Sequence, residues 1–574
     1  MRRAAIKEDA ANAETGTFNT PAFPEIPSFF LYSHKKDFLL VLLLSLVFCG
    51  LSLWRISDGI VGLFHDDGIY TVLAKALSEG VGYRLISLPS APFQLKYPFI
   101  YPYLLSWVWW LNPSFPANIF LLKGVNVGLF LVILLLSYVV YRRHTKAGSF
   151  DTLCYVFLLA GNPSIFSFVN YPLSEMLFLT FVLLGLLFID RPDQGPAPLA
   201  KVVGLALIVA LAYLSRAIGV ALVLAGILHF LVARRWRALS VYVLSLAVLL
   251  APWLLWQRSH VADILQSSLL HYYVSYPYGS PAYVLFWSDP LHALQIVWGN
   301  VRYVFDSLDT MFLLYVFPML RFWFYPIIGL GVLSSLRRHT SFFWAFLLVY
   351  LFLMLTWPWH PARLLLPLMP VVLLFLFNGV QIGESLVAAK ISSLGARRFL
   401  AVFVRLPVIS LMFLSVMWLS LYLPGNTKDS MRIWFGYQTS YGWDGFVETF
   451  AWIREHTNEK DVLATAYDPM YYLYTGRQAV RPWFYHPETY FYPYGHPAVD
   501  LGAAQEIKRE LSVLGVRYLV IDPLEGYAEK QTAPKLFDEL LRSYLEPPQE
   551  VFVSTDGLHR VYALPLGNGE SRHD

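Results

Sequence analysis

Two adjacent carboxylates, Asp66 and Asp67 in "GLFHDDGIYTVLAKALSEGVGYR", follow closely on an apolar run of about the length of a membrane span. Neighbouring carboxylates repel each other and cost free energy near hydrocarbon. They either mark the point where the chain meets water or do chemistry at the membrane surface. Unusual cations fall in matching places: Lys96 opens "KYPFIYPYLLSWVWWL", Arg216 stands in "YLSRAIG", and His360 and Arg363 stand in "WPWHPARLLLP". Glu175, in "NYPLSEMLF", lies close to the level of the aspartate pair. A carboxylate beside several cations could hold an anionic lipid headgroup next to a general base. Any one of these residues could instead snorkel cheaply at a membrane boundary; their collection on one side carries the chemical reading. For Asp66 the competing role is an N-cap of the helix "GIYTVLAKALS".

The elements that must position these groups are read from hydropathy. The 574 residues are 57% hydrophobic and 17% aromatic, with 14% charged. A soluble chain is about a quarter charged, so this one is solvated mostly by lipid. The net charge of +4 is spread over inner turns, which excludes nucleic acid as a partner. Cys49 and Cys154 both lie in apolar runs, so no disulfide framework is expected. Apolar runs lie at 38–57, 118–141, 151–169, 172–190, 202–215, 218–233, 238–256, 312–336, 341–358, 361–380 and 400–424. With about 20 residues per span, these give about 11 transmembrane helices. Residues 1–37 form a polar inner tail without a cleavable signal, and the first run serves as an uncleaved anchor. The turns placed inside, "SHKKD", "YRRHTK", "DRPDQGPAPLAK", "ARRWR", "LRRHT" and "LGARRF", all carry Lys or Arg. An odd number of spans leaves the C-terminal segment outside.

The stretch from Tyr97 to Leu111 is too short for a span, and counting it as one would turn "YRRHTK" outward. It is expected to lie as an aromatic helix in the outer interface. The first outer loop, 58–117, is then large and partly membrane-hugging, and the loop 257–311 is also amphipathic in part. Residues 425–574 have the composition of a soluble domain. "GFVETFAWIREHT" and "AAQEIKRELSVLG" read as helices, the second ending at Gly515; "DVLAT" and "VRYLVI" read as strands. "QEVFVST", "DG" and "HRVYALP" read as a hairpin. The fold class is a polytopic α-helical membrane protein, 38–424, with a C-terminal extracytoplasmic α/β domain, 425–574.

"HDDGIY", "AKALSEGVGYR" and "LKYPFIYPYLL" together resemble the first outer loop of the GT-C-type membrane glycosyltransferases. That family includes the protein O-mannosyltransferases and the lipid A aminoarabinose transferases, which use polyprenyl-phosphate-linked sugars. It carries an acidic pair after the first span, matched by Asp66 and Asp67, and a Lys/His-Pro-Pro-Leu-like segment, matched loosely because Tyr97 stands at the first proline. "YPLSEML" resembles the acidic position of its second outer loop, and "PARLLLPLMP" a late Arg-hydrophobic-Pro motif.

The resemblance implies an inverting glycosyltransferase of the plasma (inner) membrane. Its donor is a polyprenyl-phosphate-linked sugar; its acceptor is an unidentified glycan, lipid or protein. It implies Asp66 as base, with Asp67 orienting it, the acceptor or a backbone turn. Lys96, Tyr97, Arg216, His360 and Arg363 hold the donor phosphate and lipid, and Tyr70 and Glu175 contact the acceptor or support the site. No cofactor is expected, since Lys and Arg are available for the phosphate; a divalent ion on Asp66, Asp67 and Glu175 is the open alternative. The rival functions are a lipid-linked-sugar flippase, an oligosaccharide ligase or polymerase, and a non-catalytic receptor that binds through its C-terminal domain. A flippase is expected to carry midplane charges and internal repeats, and neither is evident in the sequence.

Overall fold

In the computed structural model, every one of the eleven apolar runs holds a helix. The structure describes residues 35–565 except 57–59, 146, 190–197, 261–268, 271–272, 274–281, 337–339, 358–360, 392, 424–442, 485–499 and 525–526. The N-terminal tail before residue 35 and much of the loops at 190–201 and 257–281 lie outside the described residues. So do most of "LRRHT" and His360.

The helices, in chain order, are α1 (Lys35–Arg55), α2 (Asp66–Ser78), α3 (Ile100–Leu111), α4 (Ile119–His144), α5 (Ser149–Ala160), α6 (Pro163–Val169), α7 (Glu175–Phe188) and α8 (Leu199–Ser215). They continue with α9 (Val220–Val232), α10 (Trp236–Ser259), α11 (Pro290–Met311), α12 (Arg321–Ser335), α13 (Ser341–Leu355), α14 (Met369–Lys390) and α15 (Leu394–Tyr422). Among the described residues, five helices are long and apolar enough to cross a membrane: α1, α4, α10, the continuous segment Ala362–Lys390, and Gly395–Tyr422 within α15. The α5–α6 pair makes a sixth candidate, bent by 58°. The bend is written locally. Gly161 ends α5, Pro163 starts α6 where no amide is needed, and the Asn162 side chain caps α6 by accepting from the amides of Ser164 and Ile165.

Ala362–Lys390 is the central helix: 83% of its most apolar window is buried, against 22% for Trp236–Ser259 on the periphery. Its partner α12 crosses it backbone to backbone, because Gly331 faces the Phe375 carbonyl and Gly379 faces that of Ile327. A Cβ at either glycine would collide with main chain, so small residues set this crossing.

The loop 58–117 contains α2 and α3. At 12 residues, α3 spans roughly 18 Å, well short of a bilayer core. Tyr101, Leu105, Val108 and Trp109 face inward, while Tyr103, Trp107, Trp110 and Leu111 are exposed. One covered face and one open aromatic face is the pattern expected of a helix lying in an interface. In the second long loop, α11 is amphipathic as expected, leaving Leu291, Leu294 and Trp298 open.

The C-terminal segment adds α16 (Trp443–His456), α17 (Asp468–Thr475), α18 (Ala504–Val513) and α19 (Tyr527–Arg542). Its five strands are β1 (Val462–Ala464), β2 (Ala479–Val480), β3 (Val516–Ile521), β4 (Gln549–Val553) and β5 (Arg560–Ala563), in sheet order β2-β1-β3-β5-β4. β1 runs parallel to β2 and β3, and β4–β5 is the expected antiparallel hairpin. Gly515, at φ +67°, turns the chain from α18 into β3 in a backbone region that favours glycine. The two-residue strand β2 was not legible in the sequence. It matters because Ala479 donates its amide to the Ser87 carbonyl, and the Gln478 side chain donates to the carbonyls of Ile86 and Leu88. These contacts join the sheet edge to the first outer loop.

Candidate active site

Asp66 is the first residue of α2, and its carboxylate is 22% exposed. It does not cap the helix. Tyr97 donates to its Oδ1 at 2.6 Å, and Arg363 Nη1 donates to its Oδ2 at 2.7 Å. Burial opposes ionisation here, but Arg363, Tyr97 and His65 outweigh it and hold this carboxyl well below the usual carboxylate range. Asp66 is therefore an anion at any physiological pH.

Asp67 has the opposite surroundings. It is fully buried, and its two oxygens accept from backbone amides, Gly62 N at 2.7 Å and Gly68 N at 2.9 Å. Burial raises its pKa to about 6 against these amides and the charge of Lys123. Neither aspartate caps α2; of the tasks the sequence offered for Asp67, its contacts are those of holding a backbone turn. Gly62 adopts φ +106°, which a side chain would resist, and Met470 fills the space its Cβ would need.

Arg363 comes from the turn Ala362–Leu365, pinned by a hydrogen bond from the Tyr350 hydroxyl to the Leu364 carbonyl. Its Nε lies 2.8 Å and its Nη2 2.6 Å from Oε1 of Glu175, so one guanidinium spans Asp66 and Glu175. Arg216, between α8 and α9, reaches the same Oε1 at 2.9 Å. Glu175, 1% exposed, thus faces two guanidiniums, while its buried Oε2 accepts no hydrogen bond among the described residues. Two carboxylates and two guanidiniums balance in charge, which makes their burial tolerable.

Supporting contacts fix the loop that presents Glu175. Arg216 Nη1 donates to Ser174 Oγ, which also pairs with the Tyr70 hydroxyl at 2.9 Å. Tyr101 donates to Asn126, whose amide donates to the carbonyls of Tyr171 and Leu173. The ring of Tyr70 packs edge-on against Tyr97 and Tyr101. Lys96 is buried, with its ammonium 5.5 Å from the Tyr97 ring. Burial pushes its pKa down to about 7, Asp66 pulls it back up, and Arg481 lowers it further.

The structure thus gathers Asp66, Tyr97, Arg363, Glu175, Arg216 and Tyr70 into one connected network. Asp67 lies beneath this network and Lys96 beside it. His360 lies outside the described residues. Among the described residues no three of His, Cys, Asp and Glu converge as metal ligands, and the position between Asp66 and Glu175 belongs to Arg363.

Sequence reasoning missed His65, Asp468, Arg481 and Ser174. His65 holds φ 60°, ψ −56°, a backbone region that costs a residue with a side chain about 1–3 kcal/mol. Its Nε2 lies 3.1 Å from Oδ1 of Asp468. Burial and Arg481 keep His65 below its ordinary pKa against the pull of Asp468. Only the tertiary fold brings these residues together, from positions 403 apart.

No family model matches the chain, and no curated protein matches it in sequence. Solved structures do match. The fold resembles ArnT from Cupriavidus metallidurans bound to undecaprenyl phosphate, with a TM-score of 0.51 at 13% identity, over 92% of this chain and 97% of that one. It also resembles the oligosaccharyltransferase AglB from Archaeoglobus fulgidus in complex with an inhibitory peptide and a dolichol-phosphate, at 0.51 and 13%, over 95% and 75%. The A. fulgidus enzyme tethered to an acceptor peptide containing the NVT sequon gives 0.53 at 13%, over 93% and 74%. Both neighbours are GT-C-type proteins, so the architecture implied by the outer-loop motif is the one found.

Proposed function

We propose that this protein is an inverting glycosyltransferase that moves a sugar from a polyprenyl-phosphate donor to an acceptor at the outer face of the inner membrane. The observation that carries the reading is the part-exposed Asp66 anion held by Tyr97 and Arg363 above the Arg216–Glu175 pair. Structural neighbours bound to undecaprenyl phosphate and to dolichol-phosphate support the donor class. In this reading the eleven apolar helices are eleven spans, and the C-terminal sheet lies outside.

Asp66 takes the proton of the acceptor hydroxyl or amine as it attacks the anomeric carbon, a contribution of about 10²- to 10⁴-fold. The departing phosphate leaves without being protonated. It needs positive charge, which Arg216 and Lys96 supply together with the Arg363 guanidinium that spans Asp66 and Glu175. A single displacement inverts the anomeric centre. Asp67 holds the turn that aims Asp66. The metal-free form is retained because a guanidinium already bridges the two carboxylates an ion would need. The AglB likeness favours one second reading, transfer of a whole oligosaccharide by the same groups. The test is mass spectrometry of cell-envelope glycans and lipid-linked sugars with and without the gene. Loss of one glycan with build-up of one polyprenyl-linked sugar is expected, and unchanged profiles refute the proposal. The mass of the accumulated lipid separates a single sugar from an oligosaccharide.

A further inference from the structure

His65, immediately before the candidate base, is the only side chain of the "HDDG" stretch whose ring is anchored on the C-terminal sheet segment among the described residues. Its Nε2 meets Oδ1 of Asp468, the first residue of α17. Arg481, just after β2, places Nε 3.4 Å from the same oxygen, and its backbone amide donates to the Tyr273 hydroxyl. The Tyr273 ring lies 5.8 Å from the His65 ring. All four side chains are largely buried.

The backbone around His65 is equally constrained. Its amide donates to the Gly62 carbonyl, and its own carbonyl accepts the first helical bond of α2, from Ile69. Between these bonds the residue stands at φ 60°. Such a conformation persists only where the surroundings over-determine it. Here α17 supplies them: Met470 lies against Gly62, and a Cβ on Gly68 would stand 2.8 Å from Cβ of Pro469. Asp66 is the next residue after His65, so its direction depends on that turn.

We infer that Asp468 and Arg481 are positioning residues for Asp66, acting through His65. The inference rests on the reading of Asp66 as the base. The hydrogen bonds of Asp66 go to Tyr97 and Arg363, so Asp468 sets the turn rather than the carboxylate itself. Releasing the turn displaces Asp66 relative to the acceptor, and a shift of about 1 Å costs about 100-fold in turnover. Arg216 and Arg363 both remain held by Glu175, so donor phosphate binding is expected to change little. On this view the C-terminal segment completes the active site.

The experiment uses the full-length protein in detergent. Turnover is followed on lipid extract from cells lacking the gene, and binding on undecaprenyl phosphate. Asp468→Ala is expected to lower the maximal rate about 100-fold while undecaprenyl phosphate binding stays close to normal. Asp468→Asn/Arg481→Gln keeps the shape and the hydrogen bond to neutral His65 and removes both charges together, so it is expected to recover most of the rate. Combined with His65→Gly, Asp468→Ala is expected to add nothing further, as residues acting in series do. Tyr474→Phe removes the hydroxyl that accepts from the Val61 amide elsewhere in the same contact, and is expected to leave the rate unchanged. Normal rate in Asp468→Ala, additive losses with His65→Gly, or a double variant as impaired as Asp468→Ala each overturn the inference. A silent Asp66→Asn removes the base reading and this inference together. An inactive Asp66→Asn beside an unimpaired Asp468→Ala removes only the inference.

Discussion

The phenol of Tyr97 donates a 2.6 Å hydrogen bond to Oδ1 of Asp66, from the position where the family resemblance has a proline. A proline could not make this bond, so the departure from the motif has a local chemical use. The bond stabilises the charged carboxylate, and with Arg363 it keeps Asp66 ionised against its burial.

Tyr97→Phe is therefore expected to raise the pKa of Asp66 towards the ordinary carboxylate range. Turnover measured as pH is lowered then begins to fail at a higher pH than in the unchanged protein. The plateau near neutrality changes little, because the carboxylate remains ionised there. A variant whose acid limb coincides with that of the parent shows that the phenol does not tune Asp66.

Arg363 is expected to serve the donor. Arg363→Ala removes a charge-assisted contact of about 1.5–3 kcal/mol, which weakens undecaprenyl phosphate binding roughly 10- to 150-fold. Arg216→Ala acts in the same direction. Both variants leave Glu175 short of positive charge, so thermal unfolding is followed in parallel. If both bind undecaprenyl phosphate normally, the guanidiniums only neutralise buried carboxylates.

Lys96 gives a pH signature. Its pKa lies at about 7, lowered by burial, and a bound phosphate raises it, so binding draws in a proton above that pH. The affinity advantage of the unchanged protein over Lys96→Met is expected to be largest below pH 7 and to fade as pH rises through it. Ionisation of the lipid phosphate itself affects both proteins alike and cancels in the ratio. The sign for stability is the reverse. The unfolded lysine holds its proton more tightly, so the cost of burying Lys96 is greatest below about 7 and disappears as pH rises towards 10.5. A ratio that stays flat from pH 6 to 9 (on the order of three units across the pKa) rules out a phosphate contact by Lys96.

What the sequence revealed and what it hid divide along the range of the interactions. The apolar helices and the open face of α3 follow from local composition and were legible, whereas the break at Gly161–Pro163 inside the run 151–169 was not read. Asp66, Arg363 and Glu175 stood out because each violates the apolar pattern around it. Their pairing, across 297 and 188 positions, did not stand out, since no periodicity encodes it. Which partners each of the adjacent aspartates meets was also hidden. They differ only in which groups the tertiary fold brings: side chains for Asp66 and backbone amides for Asp67. The anchoring of His65 by Asp468 depends on β2 docking to the first loop, and a two-residue strand leaves no pattern to read.

Topology is tested by accessibility. Ser149 and Thr555 are exposed. In intact cells, Thr555→Cys is expected to react with a membrane-impermeant thiol reagent, while Ser149→Cys, at the start of α5 just after the basic turn, reacts only after the cells are opened. The native Cys49 and Cys154 are buried and contribute little background. Labelling of Ser149→Cys in intact cells reverses the threading and moves Asp66 to the inner face.

The decisive comparison is between Asp66→Asn and Asp67→Asn. Asn at position 66 keeps the size and can still accept from Tyr97, but it cannot take a proton, so turnover is expected to fall by about 10²- to 10⁴-fold with undecaprenyl phosphate binding nearly kept. Asn at position 67 has one acceptor where the structure uses two, and it turns an NH₂ towards the amide of Gly62 or Gly68. That leaves a buried backbone donor unsatisfied, at about 1–3 kcal/mol, and is expected to appear as a lower melting temperature. Turnover per folded molecule should fall far less. The two losses thus differ in kind as well as in size. Normal turnover in Asp66→Asn with a stable but inactive Asp67→Asn transfers the role of base to Asp67. Normal turnover in both ends the carboxylate-base mechanism, and the network around Asp66 then serves only to hold the outer loops together.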